Sequence, residues 1–370
     1  MAGLARGMFS GLWLAVAAGA VSVGCLRKPP GAQHPSVETT RAALREAQTG
    51  QRPSDRTLYV NGRHLYDRCG EQVILRGINK MVIWTDPEGE SFSEIAKTGA
   101  NSVRVVWTVK DHPGPEQLDR VLGKAQANRL IPIIELHDAT GKLPEVPKLV
   151  DFWTRPEIVG VLRRHEGSLL LNIANEAGGN GVRTEEFVGV YRRAISRIRD
   201  TGLTLPLVID APSWGQDIDV LQAAAPELLR SDPRRNLLFS VHMWWPDGGS
   251  KDPGSRQRIV AELEESVAMG LPLIVGEFAH TGVGCKGEIA YRTILRETQK
   301  HRMGWLAWSW GPGNQDCHEM DMTRDGRFGS LEGWGLEVAV TDPNGIKRTS
   351  KIPESMYRGQ CPRRIGTAQP

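Results

Sequence analysis

The chain has 370 residues and a mass of 40.8 kDa, with 40% hydrophobic and 24% charged side chains. Those fractions suit a packed globular domain and argue against disorder, a collagen-like repeat or a polytopic membrane protein. Forty-six lysines and arginines face 43 acidic residues, a net charge of +3 with no dense basic block, so no nucleic-acid partner is expected. Eleven tryptophans against five tyrosines stand out, because tryptophan lines pockets for flat apolar ligands as well as filling cores.

In chain order, Arg6 and the apolar run from Met8 to Val23 read as a signal peptide over residues 1–24, too short and wrongly flanked to span a membrane well. Its end, Ser22-Val23-Gly24-Cys25, looks like a bacterial lipobox, which would make Cys25 a lipidated N-terminus. Ala18-Gly19-Ala20 offers ordinary cleavage instead, and an uncleaved anchor is a third outcome. Each of the three puts the domain outside the cytoplasm, as a cell-envelope lipoprotein or a secreted protein. Residues 25–55 are rich in Pro, Gln, Ser, Thr and Arg and read as a flexible tether, with one helix-compatible patch from Val37 to Ala47.

From residue 56 to 362 the pattern is that of one domain. Thr57–Val60, Asn61-Gly62 and Arg63–Tyr66 predict a hairpin with a primed turn. Eight strands follow at Val73–Ile78, Ser102–Trp107, Leu130–Leu136, Ser168–Ile173, Pro206–Asp210, Leu237–Val241, Leu273–Val275 and Met303–Trp308. Most are continuous apolar runs, as strands buried on both faces require. Helical segments at Glu116–Asn128, Thr184–Asp200, Asp217–Leu229, Ser255–Met269 and Glu288–His301 separate them. This alternation predicts an α/β fold, a closed (β/α)8 TIM barrel with a short N-terminal hairpin. No GxGxxG follows the first strand, which removes a dinucleotide-binding sheet. Beyond Cys25 the chain has Cys69, Cys285, Cys317 and Cys361, an even set that allows three pairings or four free thiols. The barrel layout favours Cys285 with Cys317, on loops at the mouth, and Cys69 with Cys361, beneath it. No cysteine–histidine cluster is present, and neither a metal nor a cofactor is expected.

Function in such a barrel sits at the C-terminal strand ends. These carry Asn79, Arg104, Glu135-Leu-His137-Asp138, Asn175-Glu176, Asp210 with Trp214, His242-Met-Trp244-Trp245, Glu277, and Trp308-Ser-Trp310. Glu176 and Glu277, after the fourth and seventh strands, face each other across the mouth. Two carboxyl groups are what glycosidic hydrolysis needs, one to protonate the leaving oxygen and one to attack the anomeric carbon.

Asn175-Glu176 together with Glu277 resembles glycoside hydrolase family 5. The phrases Ile134–Gly141, Asn172–Glu176, Ser240–Met243, Gly304–Trp310 and Asn344–Ser350 are similar to its bacterial endo-β-1,4-mannanases. The resemblance covers about Leu58 to Ser350. It implies Glu176 as acid/base, Glu277 as nucleophile, and retention of configuration on a β-1,4-glycan, mannan or glucomannan before β-glucan. A catalytically inactive carbohydrate-binding barrel is the reading from another class, and a monomer is the default state. Asn175 would bind the sugar 2-hydroxyl, Arg104 would keep Glu277 ionised, His242 and His137 would add polar contacts, and Trp308 would be the sugar platform. Trp310 or Trp214 would stack a further sugar. Arg104 as a structural ion pair, His137 as a core histidine and Trp310 as packing are the competing readings, with Glu135 and Asp138 as alternative carboxylates. One position departs from the family: tyrosine is common two residues after the sixth-strand histidine, and here Trp244 can donate but not accept. That departure bears on sugar specificity more than on hydrolysis.

Overall fold

The structure, a computed structural model, describes residues 35–111, 114–247, 254–358 and 361. The predicted signal peptide, Cys25 and the first ten residues of the predicted tether lie outside them. Eight parallel strands form the barrel: β1 (Arg76–Lys80), β2 (Ser102–Trp107), β3 (Ile131–Leu136), β4 (Leu170–Asn172), β5 (Leu207–Asp210), β6 (Leu237–His242), β7 (Leu273–Glu277) and β8 (Gly304–Ala307). They run in sequence order around the ring, and β8 closes it on β1.

Side-chain alternation along these strands sorts the barrel into layers. Ile131, Ile133, Leu170, Val208, Leu238, Ile274 and Leu306 point inward low in the barrel and pack on Leu58, Val60, Leu65 and Val73 of the hairpin, an apolar plug. Val103, Val105, Trp107, Ile134, Leu136 and Ile209 point outward into the main core shared with the helices. Above the plug the inward positions turn polar: Asn79, Arg104, Glu135, Asn172, Asp210 and His242 are all buried. The buried polar layer is therefore raised to the C-terminal mouth by an apolar floor.

Four sequence expectations are corrected. The segment read as flexible tether carries a docked helix, α1 (Val37–Gln48), capped by the Ser36 hydroxyl and burying Thr40, Leu44 and Ala47. Gln48 Nε2 donates to the carbonyls of Gly62 and Gly270, fixing the helix end to the floor of the barrel. The predicted first strand splits: Gln72–Val73 joins the hairpin sheet, and β1 starts at Arg76. Asn101 explains the break, since its amide serves both Ile74 O and Arg76 N in place of a strand neighbour. The hairpin turn is Gly62–Arg63, one residue later than expected, with Asn61 paired to His64 and Gly62 at φ +58°. The helix expected from Glu288 starts at Tyr291, because Glu288–Ile289 pairs with Pro246–Asp247. Between β3 and β4 lie α2 (Val146–Trp153) and α3 (Pro156–His165), each opened by a proline in its first turn and absent from the predicted set. The helices α4 (Thr184–Asp200), α5 (Ile218–Ser231) and α6 (Gly254–Met269) follow β4, β5 and β6 as expected. No described helix is long and apolar enough to cross a membrane.

Candidate active site

Glu176 lies four residues beyond β4, in a turn rather than a strand. Its φ is +47°, a left-handed conformation that costs a non-glycine residue energy and persists only under constraint. Two main-chain anchors supply the constraint: Glu176 N donates to Asp210 Oδ2 at 3.2 Å, and Glu176 O accepts from Gly141 N at 2.9 Å. Asn175 N donates to Leu136 O, so the loop is tied to β3 as well.

Glu277 reaches the same space by a different device. Val275 faces the outer core, and strict alternation would send Glu277 there too. A register shift between Val275 and Glu277 breaks the alternation and turns the carboxylate inward. Glycine is required just before it: a Cβ on Gly276 would stand 2.3 Å from Ser240 Oγ and 2.8 Å from His242 Nε2.

One oxygen of Glu176, one of Glu277 and one ring nitrogen of His242 all lie within 4.8 Å of one another. His242 Nδ1 is 2.7 Å from Glu176 Oε1 and 3.4 Å from Glu277 Oε2. Arg104 forks between the two sides, with Nη1 donating to Glu277 Oε1 at 2.7 Å and Nη2 donating to Asn175 Oδ1 at 2.6 Å. Trp244 Nε1 donates to the other oxygen of Glu277 at 3.2 Å. Asn175 Nδ2 donates to Thr140 Oγ1, and Asn79 supports Arg104 from below.

The charges follow from this geometry. Burial and the neighbouring Glu277 carboxylate raise the Glu176 carboxyl above the ordinary glutamate range, with the His242 contact opposing them. Burial disfavours a charged His242, but Glu277 and Asp210 overcome it and push the ring up to about 10. Burial likewise works against Asp210, yet His242 and Arg104 hold it well below the usual aspartate range. The distances among Glu176, His242 and Glu277 would also suit a divalent ion. An ion there would have to displace the His242 proton and compete with Arg104 and Trp244, which already donate to the two oxygens of Glu277.

Aromatic side chains line one wall of the mouth. Trp308 is half-buried with its indole N–H fixed on Asn314 Oδ1, His137 stacks 6.1 Å from it, and exposed Trp84 meets His137 edge-on at 5.5 Å. Trp214, also exposed, lies over Gly141 and Gly179 on the opposite loop, where a Cβ on Gly141 would come within 2.6 Å of its ring. His137 is a partly exposed cleft residue, not a core one, and donates to Glu135, which is why Glu135 is not a free carboxylate. Asp138 caps the β2 loop by accepting from Val109 N and Lys110 N.

Trp310 corrects an expectation. It is fully buried, donates to Gly326 O and belongs to the core, so it cannot stack a sugar. Alternation failed as a guide because β8 ends at Ala307, before either tryptophan. Disulfides Cys285–Cys317 and Cys69–Cys361 are both formed.

Residues 66–314 match the family described as cellulase (glycosyl hydrolase family 5). The chain belongs to glycosyl hydrolase family 5. It is 33% identical to a mannan endo-1,4-beta-mannosidase of Cellvibrio japonicus, over 79% of this chain and 68% of that one. A mannan endo-1,4-beta-mannosidase of Salipaludibacillus agaradhaerens is 31% identical, over 79% and 94%. The mannohexaose complex of Thermomonospora fusca beta-mannanase superposes with a TM-score of 0.72 at 32% identity, covering 81% of this chain and 99% of that one.

In this family 5 glycoside hydrolase the site also contains residues to which the sequence reading gave no role. Asp210 and Asn79 end buried strands as charged or polar groups, a legible signal, while Thr140 and Asn314 lie in loops with nothing local to mark them.

Proposed function

We propose that this enzyme hydrolyses internal β-1,4 bonds of mannan or glucomannan with retention of configuration. In this reading Glu277 attacks the anomeric carbon while Glu176 protonates the departing glycosidic oxygen; Glu176 then takes a proton from the water that releases the glycosyl enzyme. The observation that carries it is the approach of the two carboxyl groups to within 4.8 Å, closer than the roughly 6.5–9.5 Å that an inverting pair needs for an intervening water. Their surroundings fit the division of labour: Glu277 holds two donors, and Glu176 is raised toward the protonated form that an acid requires. Asn175, its oxygen held by Arg104 and one N–H given to Thr140, turns its second N–H to the sugar 2-hydroxyl, an interaction that strengthens in the transition state. Trp308 supplies the platform beneath the sugar. The substrate is inferred from relatives whose names specify mannan.

We place the catalytic unit from Pro35 onward, export it through residues 1–24, and tether it by lipid at Cys25, acting as a monomer; the two disulfides favour an oxidising compartment. Product analysis on mannan, glucomannan and carboxymethylcellulose tests the substrate, and E277A and E176A test the roles. With azide, E277A should yield an α-glycosyl azide and E176A a β-glycosyl azide. Undiminished product release by E277A, or an α-configured first product from the native enzyme, would overturn the reading.

A further inference from the structure

Asp210 touches neither catalytic carboxyl group, yet Arg104, His242 and the Glu176 main chain all converge on it. Its Oδ2 accepts from the main-chain N–H of Glu176 and from Arg104 Nη2, each at 3.2 Å. Its Oδ1 accepts from Asn172 Nδ2 at 2.7 Å and lies 3.5 Å from His242 Nε2. That ring nitrogen is buried without a hydrogen-bond partner, and Asp210 is the anion beside it. Backbone approaches the ring closely as well: a Cβ on Gly215 would stand 2.6 Å from it and one on Gly276 2.8 Å.

We propose that Asp210 is a positioning residue for the reaction: its charge fixes His242 between the two glutamates, and its second oxygen holds Glu176 in its left-handed turn. The proposal rests on Glu176 and Glu277 being the acid/base and the nucleophile. The charged and titratable groups around Asp210 are Arg104 from β2, His242 from β6, the Glu176 loop after β4, and Tyr191 on α4, whose phenol is raised by burial and by the Asp210 charge. Those facing His242 are Glu176, Glu277 and Asp210. With Glu277 the first and Asp210 the second source of charge support, removing Asp210's charge lowers the pH at which the ring loses its proton. A neutral ring can no longer donate from both nitrogens, and the Glu176 carboxyl loses the cation beside it.

The test is Asp210→Asn, which keeps the side-chain shape while removing the charge and one of the two acceptor oxygens, so that either Asn172 or the Glu176 N–H loses its partner. The expected result is a kcat lower on the order of 10²-fold with KM within about threefold, the scale of a misplaced catalytic group. It should also show a new alkaline transition in the pH–rate profile, absent from the native enzyme. A purely structural residue would lower the rate equally at every pH, and that outcome, or an unchanged kcat, would overturn the proposal. Glu176→Gln and Glu277→Gln run in parallel: if they stay active, the assignment of the two glutamates fails; if they are inactive while the Asp210→Asn profile parallels the native one, only the Asp210 proposal fails. Should Asp210→Asn not fold, nitrogen-15 spectra of the native histidines decide, with both His242 ring nitrogens protonated at pH 8 expected and a neutral ring there refuting.

Discussion

Replacing Arg104 by methionine removes the guanidinium that the buried carboxylates share while keeping most of its volume. Arg104 is fully buried and within 4 Å of Glu277, Asp210 and Glu135, at 2.7, 3.2 and 3.8 Å. Breaking a buried ion pair by deleting one partner costs about 3–5 kcal/mol, because the remaining charge is left without compensation. Here Glu277 and Asp210 would be left with the His242 ring and Glu135 with His137, so a cost within that range applies. At about 2.1 cal/mol/K of unfolding entropy per residue, a loss of about 4 kcal/mol in a chain of this size lowers Tm by roughly 5–6 °C. The sign of the pH dependence is fixed. A carboxyl deprived of its cation has its folded-state pKa raised, so it destabilises the fold above the unfolded value and ceases to do so once protonated. The gap between R104M and the native enzyme should be widest near pH 7 and should close toward pH 4. Calorimetric or circular-dichroism melting across that range is the assay. A variant melting within about 2 °C of the native protein at pH 7, or a gap that does not change with pH, would refute the claim that Arg104 is held by charge. R104K tests geometry separately: an ammonium keeps the charge but cannot fork to both Glu277 and Asn175, so stability should recover further than kcat.

Four further outcomes are expected. Glu176 is raised by burial and by Glu277, so kcat/KM on mannan should fall as pH rises through that raised value, and an alkaline limb near the ordinary glutamate pKa of about 4.3 would contradict its use as the acid. G276A drives a methyl group into His242 and Ser240, and kcat should drop about tenfold or more with little change in KM; native kinetics would show that the glycine is dispensable. W308A should raise KM and lower kcat, whereas W310F should lower Tm and leave KM alone; a KM effect at Trp310 would reinstate it as a binding residue. L44A should cost about 2–5 kcal/mol in urea unfolding, since Leu44 is fully buried, and an unchanged midpoint would detach α1 from the folded unit.

The barrel was legible because its strands are apolar throughout and its mouth residues are polar, two signals carried by local composition. Glu176 and Glu277 were legible for the same reason, each a carboxylate directly after a buried run. What the pattern missed depended on geometry with no local mark. The shift in register that turns Glu277 inward lies between two ordinary residues, and the end of β8 at Ala307 is invisible in Gly304–Trp310. Helix α1 was taken for tether because Leu44 and Ala47 give it only a narrow apolar stripe; its stability comes from the α5 and α6 surfaces it packs on, which lie some 180 residues away. Trp244, read as able to donate but not accept, donates to Glu277.

The asymmetry between the two glutamates arises from how few cations the barrel admits. Arg104 and His242 are the two buried cations of the site, and Arg104 is committed to Glu277, Asp210 and Asn175. Trp244 adds a neutral donor to Glu277, so that carboxylate has a hydrogen bond to each oxygen. Among the described residues the Glu176 carboxyl is hydrogen-bonded by the His242 ring, which Glu277 and Asp210 also draw upon. Of the two carboxyl groups, the one with fewer donors, Glu176, is the one that burial and the neighbouring carboxylate raise above the ordinary glutamate range. The division of labour proposed for Glu277 and Glu176 thus rests on the difference in their donors.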